Sequence, residues 1–210
     1  MKEFWMIRHA ESQANAGFKT KNQKTTFLSD LGEKQAVRLM EKLSTLRNPD
    51  LIVYSSFPRS QLTISPYLDK WKTKEETWDV EEFNYLSQIK WANTSFEERK
   101  TPKEEYWDRN DPHFHDGDGA ESYSDLLHRA ERMLRKVLER KENKIWIVTH
   151  GQFMKAVTLL LMSEGLNKEI PSMKKFKTFM DNHNIPNCGL IRVKVEDGSY
   201  WISFKDLWDL

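Results

Sequence analysis

Three short apolar runs, Phe4–Ile7, Leu51–Tyr54 and Ile145–Val148, each stop abruptly at a polar pair: Arg8-His9, Ser55-Ser56 and Thr149-His150. Brief apolar runs bounded this sharply are the sequence mark of strands buried on both faces. Helical stripes lie between and after them. Leu31, Ala36, Val37, Leu39, Met40 and Leu43 recur at helical spacing behind a Ser29-Asp30 start signal. Over 122–140, Leu126, Leu127, Ala130, Met133, Leu134, Val137 and Leu138 form one face, and Ser122 with Asp125 resembles a capping box built with the shorter acid. Gly151 opens another helix through about Met162, and Leu190–Val195 and Tyr200–Phe204 flank a hairpin turn at Glu196-Asp197-Gly198-Ser199. The alternation predicts an α/β fold: a mostly parallel central sheet flanked by helices on both faces. Residues 72–120 break the pattern. They are polar, carry Trp78, Trp91 and Trp107, and read as a lid-like insertion covering the sheet edge within one domain spanning 1–210.

Ligands of open parallel sheets gather beyond the carboxyl ends of the strands, where all three polar pairs stand. Those ends offer Arg8, His9, Arg59 and His150, with Arg59 at the expected start of a helix. Taken singly, His150 reads as a structural histidine and Arg59 as a solvated cation. Together, two guanidiniums and two imidazoles at one sheet edge call for an anion among them. A phosphoryl group fits, because arginine forks match its oxygens. Gly151 at a helix start adds backbone N–H groups and a positive dipole end. The chain as a whole has 33 Lys and Arg against 32 Asp and Glu, so the anion site is local. Nucleic acid and acidic membrane surfaces are not expected partners.

These residues carry a resemblance. Arg8-His9-Ala10-Glu11-Ser12 followed by Asn15 resembles the R-H-G-E-S/T-x-x-N signature of the histidine phosphatase (phosphoglycerate-mutase-like) superfamily. Leu28-Ser29-Asp30-Leu31-Gly32 through Gln35-Ala36 is similar to its L-S/T-x-x-G-x-x-Q-A helix start. Ser55 through Arg59 and Thr63 resembles S-P-x-x-R-x-x-x-T, Gly119-Ala120-Glu121-Ser122 its G-x-E-S element, and Val148-Thr149-His150-Gly151 its V-S/T-H-G element. Ala10 departs from the usual Gly and Ser56 from the usual Pro; neither is a reacting group. The resemblance implies that His9 is the nucleophile, accepting the phosphoryl group. It implies that Arg8, Arg59 and His150 hold the phosphoryl oxygens with Asn15 assisting. Neighbouring arginines would also keep His9 unprotonated at neutral pH. No metal or cofactor is implied, because these cations supply the countercharge.

The leaving oxygen needs a proton. The family's L-x-E-x-x-x-G pattern, which follows a strand, matches Val80-Glu81-Glu82-Phe83-Asn84-Tyr85-Leu86 with Glu82 as the acid, though Leu86 replaces the Gly. Glu81 reads as a solvated neighbour turned the other way, and Glu121 as a supporting or helix-start carboxylate. His113-Phe114-His115-Asp116 could be taken for a metal cluster and Asp116-Gly117-Asp118-Gly119 for a calcium loop. The latter would need Glu where Leu127 stands on the helix stripe, so a lid hinge is the better reading. Lys168, Lys174, Lys175 and Lys177 read as a solvated helix face. One cysteine, Cys188, allows no intrachain disulfide, and no run spans a bilayer or makes a signal peptide, so a cytoplasmic protein is expected. The implied activity is hydrolysis of a phosphomonoester, with a small phosphorylated molecule or a phosphoprotein as substrate. A phosphoglycerate mutase is the nearest alternative, but Glu82-Phe83-Asn84-Tyr85-Leu86 lacks the Arg, His and Gly of the mutase E-R-H-Y-G element. A non-catalytic binder of phosphorylated ligands is the other.

Overall fold

The computed structural model describes residues 1–19, 22–95, 97–163 and 171–205, with Lys168 of the sequence reading outside that set. In chain order the elements are β1 (Lys2–Arg8), α1 (Asp30–Ser44), β2 (Leu51–Tyr54), α2 (Pro58–Trp71) and β3 (Glu75–Thr77). They continue with α3 (Lys100–Arg109), α4 (Tyr123–Glu139), β4 (Lys144–Thr149), α5 (Gly151–Met162), α6 (Met173–Asn182), β5 (Leu190–Glu196) and β6 (Ser199–Lys205). The sheet order is β3-β2-β4-β1-β5-β6. Strands β1 to β4 run parallel, and the β5–β6 hairpin adds the antiparallel edge.

Alternation along the strands divides the core in two. Phe4, Met6, Leu51, Val53, Ile145 and Ile147 face a layer that includes Leu126, Met133, Phe153 and Phe176 from α4, α5 and α6. Trp5, Ile7, Ile52, Trp146 and Val148 face Leu39 and Leu43 of α1 and Ile64 and Tyr67 of α2. Covered on both sides, the central strands must be apolar at every position, which is why they read as unbroken runs. Each such side chain contributes about 1.5–3 kcal/mol by leaving water. Register then fixes the chemistry: Arg8 pairs with Thr149 at the common carboxyl end, one residue before His9 and His150.

The helix start signals act through specific bonds. Ser29 Oγ accepts the Gly32 N–H at 3.0 Å and donates to Glu11 Oε1 at 2.7 Å, while Glu11 N–H donates to Gln35 Oε1 at 2.7 Å. A Cβ on Gly32 would lie 1.9 Å from the Glu11 carbonyl oxygen, so only glycine lets α1 pack on the loop leaving β1. Ser122 and Asp125 form the reciprocal capping box of α4 despite the short acid.

Within 72–120, residues 75–77 are an edge strand of the sheet rather than part of a cover. Glu-Glu-Thr offers no apolar run by which to find it. The aromatic residues of this segment mostly anchor it: Phe83, Tyr85, Tyr106 and Trp107 pack with ring centroids 4.7–6.2 Å apart. The Asp116 carboxylate accepts from Ser87 N–H, Trp91 Nε1 and Lys90 Nζ at 2.8–3.0 Å, so it knots the segment together. His115 pairs with Asp125 at 2.7 Å. Among the described residues, no group of three or more His, Cys, Asp and Glu side chains could hold a metal ion. Nor is any described helix long and apolar enough to cross a membrane.

Candidate active site

Beyond the carboxyl ends of β1 and β4 lies a cavity of about 290 Å³. Its walls include Arg8, His9, Asn15, Arg59, Glu82 and Gly151. His150 lies beneath this wall, fully buried, its ring centroid 5.0 Å from that of His9. The seven residues singled out in the sequence therefore converge on one place.

His9 is held from two sides. Its Nδ1 is 2.7 Å from the Ala10 carbonyl oxygen, and Arg59 Nε donates to its Nε2 at 3.2 Å. A carbonyl can only accept, so the ring proton sits on Nδ1 and the Nε2 lone pair faces the guanidinium. Burial, then Arg59, hold the His9 pKa well below its ordinary value, and the imidazole is neutral. His150 is neutral for the same reasons, burial first and Arg59 second. Its Nε2 meets Ser55 Oγ at 2.7 Å and Ser60 Oγ at 3.2 Å, while its Nδ1 is buried with no partner. Arg8 donates through Nη1 to the Ile185 carbonyl oxygen, and its Nε is likewise buried and unpartnered. Burial lowers the Arg59 pKa to about 10, still charged at neutral pH. These unpartnered nitrogens, beside the Arg8 and Arg59 guanidiniums, are groups that an anion in the cavity could bond.

Both departures from the signature have local reasons. Ala10 is fully buried, its N–H donates to Thr63 Oγ1 at 2.9 Å, and its backbone does not adopt the positive φ that would require glycine. Ser56 N–H donates to Glu81 Oε1 at 3.0 Å, a bond that proline could not make. Glu81 is thus bonded, not simply solvated. Residues 78–86 form no strand, so strand alternation does not decide which way Glu81 and Glu82 face. The Glu82 carboxylate accepts from Gln152 N–H at 3.1 Å and Phe153 N–H at 3.3 Å, in the first turn of α5. It also lies on the wall of a neighbouring cleft of about 590 Å³, which holds Glu81, Glu121 and Arg129 but neither His9 nor Arg59.

Several contributors escaped the sequence reading. Arg129 forks onto Glu121 with two bonds of 2.8 Å and donates Nη1 to the Glu81 carbonyl oxygen at 2.8 Å. Its place on the apolar stripe of α4 was the available signal, since a cation there needs a buried partner. Asn187 donates to the His9 carbonyl oxygen at 2.9 Å and to Asn15 Oδ1 at 3.3 Å, so it ties the β5 approach to the signature loop. Arg99, Lys103, Gln152 and Lys155 also line the cavity. Lys174 and Lys175 are exposed, and Lys177 pairs with Asp181.

Residues 4–205 match the model of the histidine phosphatase superfamily, branch 1. Over 162 residues the chain is 25% identical to a metal-independent phosphoserine phosphatase of Arabidopsis thaliana, covering 75% of this chain and 67% of that one. Its fold is similar to that of a phosphoserine phosphatase of Entamoeba histolytica solved with phosphoserine, with a TM-score of 0.75, 18% identity and complete coverage of both chains. A mycobacterial glucosyl-3-phosphoglycerate phosphatase superposes with a TM-score of 0.75 and 19% identity, over 97% of this chain and 98% of that one. The match over nearly the whole chain places this protein in the histidine phosphatase superfamily.

Proposed function

We propose that this protein is a metal-independent phosphatase that hydrolyses small phosphomonoesters through a phosphoryl group carried on His9. One observation supports this reading above the others: a neutral imidazole whose Nδ1–H is fixed on a carbonyl, with Nε2 turned into a cluster of guanidiniums. On substrate entry Arg59 exchanges Nε2 for a phosphoryl oxygen, and Arg8 and Asn15 take the others. With a Ser55 or Ser60 hydroxyl donating to His150 Nε2, the neutral ring carries its proton on Nδ1, which donates to the same group. Phosphoryl transfer spreads charge over these oxygens, so positioned donors lower the barrier.

In the first step His9 Nε2 forms a bond to phosphorus as the bond to the leaving oxygen breaks. Glu82 gives that oxygen its proton. Water then attacks phosphorus, Glu82 takes a proton back, the N–P bond breaks and inorganic phosphate leaves. Arg129 and Glu121 act at one remove, since they hold the backbone at Glu81. Turnover of p-nitrophenyl phosphate by the purified chain is expected, with loss of at least a thousandfold in His9→Ala. Absence of turnover would leave a binder in place of an enzyme.

A further inference from the structure

Asn15 lines the cavity, and its amide has two unlike ends: an oxygen that repels a phosphoryl oxygen and an NH₂ that bonds one. Its neighbours decide which end faces the ligand. Ser12 N–H donates to Asn15 Oδ1 at 3.2 Å, and a backbone N–H can only donate, so the atom it meets is the oxygen. Ser12 Oγ donates to the same oxygen at 3.1 Å, while Asn15 N–H donates to Ser12 Oγ at 3.3 Å. The third donor to Oδ1 is Asn187 Nδ2, at 3.3 Å. That nitrogen is identified in the same way, because it also lies 2.9 Å from the His9 carbonyl oxygen, which can only accept. Three donors thus converge on Oδ1, and no described residue accepts from Asn15 Nδ2.

Asn187 is itself fixed to the end of β1. It stands in the turn over 186–189, which Gly189 N–H closes on the Pro186 carbonyl oxygen at 2.8 Å. Arg8 N–H donates to the Gly189 carbonyl oxygen at 3.0 Å, and Cys188 N–H donates to the Arg8 carbonyl oxygen at 3.1 Å. A Cβ on Gly189 would lie 2.8 Å from the Pro186 carbonyl oxygen, so only glycine closes the turn this tightly. The turn therefore rides on the residue immediately before His9. Asn187 is not on the cavity wall, so it reaches a ligand only through Asn15 and His9.

We propose that Asn187 is a positioning residue, which keeps the Asn15 amide turned with its NH₂ towards the phosphoryl group. This rests on the phosphatase reading and adds a residue that acts through another. A carboxylate at position 187 would reverse the device. It cannot donate to Oδ1, and it would draw the Asn15 NH₂ towards itself, leaving the amide oxygen to face the phosphoryl oxygens.

The test is a double-mutant cycle on the full chain with p-nitrophenyl phosphate. Asn187→Asp is expected to lower kcat/KM by about tenfold or more, the size of one lost bond to a charged group. In an Asn15→Ala background the same substitution should cost no more than about threefold, the remainder coming from the His9 carbonyl. Asn187→Ala removes the donor without attracting the NH₂, so its loss should fall between wild type and Asn187→Asp. It carries the cycle if the carboxylate disturbs folding. The Asn15 side-chain NH₂ resonances, identified by their loss in Asn15→Ala, should shift with inorganic phosphate in the wild type and stay in place in Asn187→Asp. Equal fold losses in the two backgrounds, or an Asn15 resonance in Asn187→Asp that responds as in the wild type, would overturn the proposal. Wild-type turnover reports the phosphatase reading by itself and the resonances report the amide by themselves, so the two fail separately.

Discussion

The Glu82 carboxylate caps α5: it accepts from Gln152 and Phe153 N–H, while His150, the residue at the N-cap position, supplies no side-chain cap. The candidate acid and the candidate phosphate-binding histidine therefore share one helix start.

Glu82→Gln keeps an oxygen for these N–H groups but cannot donate to a leaving oxygen. Loss of a general acid costs about 10²–10⁴ in rate. The full penalty is expected with alkyl phosphates and only a small part with p-nitrophenyl phosphate, whose leaving group departs almost unaided. Glu81→Gln, which can still accept from Ser56 N–H, should stay near wild type on both. Equal loss on the two substrates in Glu82→Gln would remove it from the proton-donor role.

Arg129 is buried and bonded to both Glu121 and the Glu81 carbonyl. Arg129→Met leaves Glu121 and the Glu81 carbonyl without their donor, and since Glu121 keeps partial contact with the cleft the expected cost is about 1–3 kcal/mol. Urea unfolding should show this loss at unchanged m, with partial recovery in Arg129→Met/Glu121→Met. A single variant within about 0.5 kcal/mol of wild type would show the pair to be ornamental.

Stability should fall as pH drops below the ordinary histidine value. His9 and His150 have folded pKa values well below 6.5, so the unfolded chain binds more protons beneath that pH. Each contributes a slope of about 1.4 kcal/mol per pH unit there and nothing above it. Unfolding of His9→Ala and wild type between pH 7.5 and 5 should diverge in slope by about one proton. Parallel curves would mean that His9 is protonated in the folded protein.

EDTA should leave turnover intact, because Arg8, Arg59 and His150 supply the charge that a divalent ion otherwise gives. Inactivation reversed by Mg²⁺ or Zn²⁺ would contradict this.

Much of the fold was legible because the central strands are covered on both faces, so Phe4–Ile7, Leu51–Tyr54 and Ile145–Val148 leave no choice but burial. The helix starts at Ser29 and Ser122 were legible because capping is a local chemistry. β3 was not, since three residues at an edge bury nothing. α3 hides similarly, with only Tyr106 and Trp107 buried along its ten residues. In the site, Arg8, His9, Arg59 and His150 stand at strand and helix ends, where sequence and position coincide. Arg99, Lys103 and Asn187 reach it from loops and a distant helix, and only tertiary packing brings them there; Lys155 stands one turn past Gly151 on α5. Glu81 is bonded to Ser56 N–H rather than solvated, a contact between two loops that no local pattern announces.

The proposed chemistry turns on His9 carrying the phosphoryl group. Rapid quenching of the wild-type chain with ³²P-labelled substrate should trap a phosphoramidate on His9, labile in acid and stable in base, and absent from His9→Ala. A base-labile acyl phosphate, or wild-type turnover in His9→Ala, would contradict it.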